Sequence, residues 1–210
     1  MIIALLNQKG GVGKTTLAVH IAEALTRIGK SVLLVDADPQ GSALDWSEAR
    51  PDTDSNPSFS VIGLPKSNLH KELPALAQNY DAVLIDGPPR VNEIARAAIM
   101  ASDIVLIPVQ PSPYDVWAAK EIVDLLQEAS TFKENIKSAF VINRKIVNTA
   151  IGRDVGEALA GYNLPVLSTA IGQRVAFAES AAQGLTVMDT EPNGIAAKEI
   201  ESLIRDLLEM

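Results

Sequence analysis

Near the start of the chain two lysines, three glycines and two threonines are spaced as a phosphate cradle would need them: Lys9-Gly10-Gly11-Val12-Gly13-Lys14-Thr15-Thr16. Closely spaced glycines let backbone N–H groups turn inward around phosphate oxygens. A helix that follows points its positive end at the same anion. Lys14 is placed to reach the β- and γ-phosphates, the Thr15 hydroxyl to ligate Mg²⁺, and Thr16 to touch the α-phosphate. The apolar run Ile2 to Leu6 before the motif and the helical stretch from about Lys14 to Ile28 after it supply the strand–loop–helix context of a P-loop. The chemistry expected is binding of Mg-ATP.

Phosphate chemistry also needs carboxylates, to hold the metal and to orient an attacking water. Val32 to Gln40 ends a second apolar run on Asp36-Ala37-Asp38-Pro39-Gln40. Two acids two residues apart on an extended chain point to different sides, so they need not share one role. The competing use is to cap the helix after Gly41. Ala82-Val83-Leu84-Ile85-Asp86-Gly87-Pro88-Pro89 reads as a buried strand from whose end Asp86 emerges toward Mg²⁺ or its water shell. Ile142-Asn143-Arg144-Lys145 ends another strand, and the Asn143 amide carries the donor and the acceptor that reading an adenine edge requires. The Pro-punctuated segment Ile107 to Asp115, with Pro111 at its middle, is either the wall of a ligand site or a rigid connection.

Together these segments resemble the ParA/MinD superfamily of deviant Walker A ATPases. The motif K-G-G-V-G-K-T-T carries the extra Lys9 and has Gln8 where the general P-loop has glycine; V-D-A-D-P-Q, D-G-P-P, P-V-Q-P-S-P and the Gly172-Gln173-Arg174 segment extend the likeness over essentially the whole chain. The closest type is the small ParA-like partition ATPase without an N-terminal helix-turn-helix. The resemblance implies that Lys9 reaches the phosphates of ATP in the opposite subunit of a sandwich dimer. It assigns Asp38 to positioning the water and Asp36 to the outer shell of the metal. Pro111 is expected to approach nucleotide and partner, and Asn143 to contact adenine with Arg144 beside it. It further implies a homodimer on non-specific duplex DNA, and slow hydrolysis stimulated by a ParB-like or other cargo-bound activator. The expected location is the cytoplasm, associated with the nucleoid; the cargo is a plasmid, a chromosome region or a protein organelle.

For DNA the sequence offers five basic residues between Lys133 and Arg153 (Lys133, Lys137, Arg144, Lys145, Arg153) against the single acid Glu134. Lys145, Arg153 and Arg174 are the expected phosphate contacts. Many larger relatives have a further arginine where this chain has Ala176, which departs from the pattern.

The elements that must position this chemistry are short apolar strands alternating with amphipathic helices. Besides the two already placed, strands are expected at Phe59–Ile62, Ile104–Val109, Ala139–Ile142 and, more weakly, Pro165–Ser168, with a last helix over about Gly194–Leu208. Such alternation predicts an α/β fold: a doubly wound, mostly parallel sheet with helices on both faces, a Rossmann-like three-layer sandwich. Ligands there sit at the carboxyl ends of the strands, where all the residues above fall. The 210 residues suit one domain, 1–210, and the absence of cysteine excludes disulfides and iron–sulfur clusters. A net charge of −8 argues against a protein basic all over.

Two other functions compete with this one. A MinD-like membrane-associated positioning ATPase would end in a basic amphipathic helix. Here Lys198 to Met210 carries more acid than base, so no membrane partner is expected. A metabolic P-loop ATP-dependent enzyme would need a further substrate constellation, and the residues supply none. His20 and His70 suggest no catalysis, and Trp46 and Trp117 read as core or interface anchors.

Overall fold

The computed structural model describes residues 1–51, 59–90, 92–146 and 151–210, and the side chains of all of these except 151–154. Their strands form one parallel sheet in the order β3-β2-β4-β1-β5-β6. These are β1 (Ile2–Asn7), β2 (Val32–Asp36), β3 (Ser60–Gly63), β4 (Ala82–Pro89), β5 (Ile104–Val109) and β6 (Lys137–Ile142). The strands are apolar on both faces because both faces are covered. In β1, Ile3 and Leu5 face one core while Ala4 and Leu6 face the other. β4 alternates in the same way, with Ala82 and Leu84 opposite Val83 and Ile85.

On one face lie α1 (Lys14–Arg27), α2 (Ser42–Glu48), α8 (Val187–Thr190) and α9 (Ile195–Leu208), with α7 (Val175–Ala181) against their edge. On the other lie α3 (Leu69–Ala77), α4 (Glu93–Ala101), α5 (Pro113–Ser130) and α6 (Ile151–Ala160). The apolar stripe of α9 (Ile200, Leu203, Ile204 and Leu207) is buried against the sheet, as its spacing predicts. Among the described residues no helix is long and apolar enough to cross a membrane.

The structure moves some boundaries. β3 starts one residue late, because Phe59 is taken out of the strand to stack on Trp46, ring centroids 5.7 Å apart. The expected strand at Pro165–Ser168 is a correction: it is a single bridge, Phe140 to Val166. Pro165 has no N–H to extend a ladder, and beyond it Ser168 and Thr169 turn to the Asp206 carboxylate instead. β4 runs on through Asp86 to Pro89, so Asp86 lies inside the strand and in register with Asp36 of β2. Gly87 permits this: a Cβ there would stand 2.2 Å from Leu6 Cδ2 and 2.8 Å from the Leu5 carbonyl.

Candidate nucleotide-binding site

The loop between β1 and α1 is fastened before any ligand arrives. Gly13 caps α1 with φ 93°, a left-handed conformation that only glycine adopts at little cost. Its missing Cβ also leaves room for Asn143, whose Nδ2 would be 2.3 Å from a methyl group at that point. Asn143 Nδ2 donates to the Val12 carbonyl at 2.7 Å and its Oδ1 accepts from the Arg144 N–H at 2.9 Å. From β5 and the loop after it come further ties. Asn7 Nδ2 donates to the Pro108 carbonyl (2.6 Å) while Asn7 Oδ1 accepts from the Lys9 N–H (2.9 Å), and Gln110 Nε2 donates to the Gly11 carbonyl (2.9 Å).

Lys14, Thr15, Asp36, Asp38 and Asp86 converge at the carboxyl ends of β1, β2 and β4. Thr15 Oγ1 donates to Asp86 Oδ2 at 2.6 Å. Asp86 is fully buried, and burial pushes its pKa up to about 7, against the pull of the Thr15 hydroxyl and with Asp36 adding repulsion. Its other oxygen, Oδ1, is buried with no hydrogen-bond partner. A buried carboxylate with an open oxygen beside a threonine hydroxyl is a site short of a positive charge. Mg²⁺ fits it: that ion takes one or two protein oxygens and fills its remaining positions with water and phosphate. Asp86 and Thr15 would hold the ion, which would supply charge neutralisation on the phosphates.

Lys14 is only 7% exposed, and burial lowers its pKa against the fields of Asp86 and Asp38. An ammonium kept from water between acids is poised for phosphate oxygens. Asp36 serves the backbone instead. Its carboxylate accepts from the Asp38, Ala43 and Leu44 N–H groups at 2.8–3.1 Å, so it caps α2. Burial nonetheless raises its pKa, with those three bonds opposing. Asp38 is half-buried, lends one oxygen to the Gln40 N–H (3.0 Å) and lines the cleft with Lys14. The two acids thus divide their work, as the extended spacing suggests.

Above the loop opens a cleft of about 600 Å³, lined by Gly10, Lys14, Thr15, Thr16, Asp38 and Trp46 among others. A second hollow of about 760 Å³ shares Thr16 and Arg144 with it and is bordered by Asn143, Lys145, Gln173 and Arg174. Asn143 borders this hollow, and among the described residues one N–H and one lone pair of its amide have no partner. Pro111 lines neither cavity. Val12 is wholly buried and takes part through its carbonyl.

The basic residues expected to meet DNA are not one free patch. Arg174 is held by Glu199 in a bidentate pair (Nη2–Oε1 2.5 Å, Nε–Oε2 3.0 Å). Lys133 turns inward to the Met100 and Ser102 carbonyls, closing the end of α4, and Lys137 reaches the Met210 carbonyl. Arg144 is exposed and Lys145 half-buried at the rim of the second hollow. The Arg153 side chain lies outside the described residues. His20, to which the sequence assigns no role, is wholly buried: its Nδ1 meets the Thr16 carbonyl at 2.6 Å and its Nε2 accepts from the Val187 N–H at 3.1 Å. Burial lowers its pKa to about 4, although the Thr16 carbonyl pulls the other way. Asn7, Gln110 and His20 carry no sequence signal, because polar groups spent on distant carbonyls follow no motif.

Residues 3–187 match the model of the CobQ/CobB/MinD/ParA nucleotide binding domain. The "Maintenance of carboxysome distribution protein A" of Halothiobacillus neapolitanus is 32% identical, the match covering 98% of this chain and 95% of that protein. The "Sporulation initiation inhibitor protein Soj" of Bacillus subtilis is 29% identical, over 98% of this chain and 97% of its own length. Among solved structures, an ATP complex of Cyanothece McdA superposes with a TM-score of 0.83 at 19% identity, covering 98% of this chain and 95% of that one. The MinD protein of Pyrococcus horikoshii with Mg-ADP superposes at 0.82 with 18% identity, over the same shares. At these identities the superpositions speak for the fold.

Proposed function

The chain belongs to the CobQ/CobB/MinD/ParA nucleotide-binding family, and on that footing we propose that it is a ParA-type ATPase that positions or partitions cargo. The protein binds ATP with Mg²⁺ and hydrolyses ATP to ADP and phosphate. The finer reading is that two Mg-ATP-bound subunits close on each other, that the dimer lies on non-specific duplex DNA at the nucleoid, and that a cargo-bound activator speeds hydrolysis. The observation that carries the reading is the convergence of buried Lys14 and Asp86 with half-buried Thr15, with Asp38 at the lip of the same cleft.

In this reading the glycine N–H groups and Lys14 clamp the phosphates and Thr15 and Asp86 take the metal. Asp36 keeps the loop after β2 in shape by capping α2, and reaches the metal only through its water shell. Asp38 orients the attacking water. Lys9 crosses to the partner's nucleotide, and Asn143 and Arg144 flank the base. Hydrolysis without an activator is slow because the clamps and the metal are not joined by an arginine finger; one supplied from outside is worth about 10³-fold or more. Lys145 and Arg174, which border one hollow, and Arg153 are the contacts proposed for DNA phosphates.

The test is Asp38→Ala. Phosphate release should fall by about two orders of magnitude or more, as loss of a water-positioning group does, while Mg-ATP is retained and the protein stays dimeric on DNA in gel filtration. A variant that hydrolyses ATP at the unaltered rate removes Asp38 from catalysis. Binding to DNA is checked by retention on duplexes of arbitrary sequence, which should decline steeply with salt as counterions are released. Sequence preference, or no retention at low salt, overturns that half of the proposal.

A further inference from the structure

Under the floor shared by the cleft and the second hollow lies one imidazole. His20 is wholly buried, and its two ring nitrogens face two different elements. The backbone N–H of Val187 can only donate, so His20 Nε2, 3.1 Å away, carries the lone pair. The proton therefore sits on Nδ1 and is donated to the Thr16 carbonyl at 2.6 Å. Val187 opens α8, where a first-turn N–H has no partner within the helix. A capping box between Thr186 and Asp189 answers the N–H groups of those two residues and leaves that of Val187 to His20. Asp189 is tied to α1 as well, through Arg27 Nη2 at 2.6 Å. The third neighbour of the imidazole is α7: the Phe177 ring meets it edge-on, centroids 5.0 Å apart. Phe177 stands with Val175, Ala178 and Ala181 along the wall of the second hollow.

We propose that His20 is a positioning residue for the nucleoside end of the nucleotide: in this one tautomer it sets α7 against the phosphate loop, so that base and phosphates fit together. This rests on the reading above that Asn143 and Arg144 flank the base. Thr16, in the first turn of α1, borders both cavities, and its carbonyl orients the ring. A helix of seven residues does not hold its place by itself, so α7 takes its position from what it packs on. A buried N–H left without a partner carries its full desolvation penalty. Without the imidazole, α8 relieves that penalty by shifting, and α7 moves with it because only residues 182–186 join the two. The cradle is braced from elsewhere, by Asn7, Gln110 and Asn143. Loss of His20 therefore spares the phosphate end and loosens the wall that meets the base.

The experiment weighs two probes against each other: Mg-ATP, and magnesium tripolyphosphate, which has the phosphates without the nucleoside. Calorimetric titration gives an affinity for each. In His20→Phe, which keeps a ring on Phe177 and loses both hydrogen bonds, the preference for ATP should fall about tenfold, the effect of one buried hydrogen bond. Affinity for tripolyphosphate should be unchanged. His20→Gln, whose Oε1 can accept from the Val187 N–H, should recover most of the preference. A further measurement needs no variant to fold. In unaltered protein the imidazole nitrogen resonances should report the Nδ1–H tautomer, and should shift with ATP far more than with tripolyphosphate. A preference unchanged in His20→Phe, an equal loss of both probes, or an Nε2–H tautomer overturns the proposal. If unaltered protein binds ATP no more tightly than tripolyphosphate, it is the reading of the base hollow that fails, and the proposal falls with it. If unaltered protein prefers ATP and His20→Phe keeps that preference, only the role of His20 fails.

Discussion

The two halves of the strand-end edge are built on different terms. At the ends of β1, β2 and β4 several polar groups are held by others in the fold: Thr15 by Asp86, Asp36 by three N–H groups, the Val12 carbonyl by Asn143. Past β6 the charged groups lie at the surface or neutralise one another, as Arg144 and the Arg174–Glu199 pair do. A site that holds highly charged phosphates in place needs donors fixed beforehand. A surface that meets a polyanion through many weak contacts needs only charge at the right spacing. The first half therefore declares its chemistry through geometry and the second does not.

The contrast can be broken first at Lys14. Lys14→Ala should weaken Mg-ATP binding about 100-fold, because a charge-assisted bond is worth ~1.5–3 kcal/mol and this ammonium makes more than one. Calorimetric titration reads it, and unchanged affinity would mean that the glycine loop is no phosphate cradle. The next effect is on stability. His20 takes up a proton at about 4 in the folded chain and near 6.5 when unfolded, so acid favours the unfolded chain. Stability should be independent of this group above pH 6.5 and fall as pH drops from 6.5 to 4, by up to ~3 kcal/mol at ~1.4 per unit. His20→Gln should flatten that part of the pH profile in denaturant melts; parallel profiles would mean that the buried ring is not what titrates.

Gly13→Ala comes third. It combines a left-handed backbone with a clash against Asn143, for a loss of ~1–3 kcal/mol. Adding Asn143→Ala should recover the clash and leave the backbone strain, so the two losses should not sum. Strict additivity in thermal melts would separate Asn143 from the cradle. The smallest effect is expected on the other half of the edge. Glu199→Gln releases Arg174 and should tighten retention of duplex DNA by a few-fold at about 0.1 M salt. Indifference there, with Arg174→Ala also silent, would move the DNA contacts elsewhere.

What can be read from the residues follows the same division. The glycines and lysine proposed to cradle phosphate sit in one contiguous run between a strand and a helix, so the parallel sheet is legible, and the fold is as expected. For Asp36 the residues pose only a choice between metal and helix cap, since which N–H groups reach a carboxylate depends on the turn at Gly41. The pairing of Arg174 is invisible in the sequence because Glu199 is 25 residues away on α9 and no local pattern links them. The strand expected at Pro165–Ser168 fails because apolar residues beside a proline cannot say how many ladder bonds will form.

The tie from Asn143 to Val12 spans 131 residues. In the order of folding, this means that the loop encoded first is completed among the last. Closing so long a segment is slow, and it carries its entropy cost before any contact rewards it. A chain still emerging from the ribosome has its glycine turn long before β6 exists to brace it. The brace on the glycine loop is therefore in place only once β6 has joined the sheet beside β5.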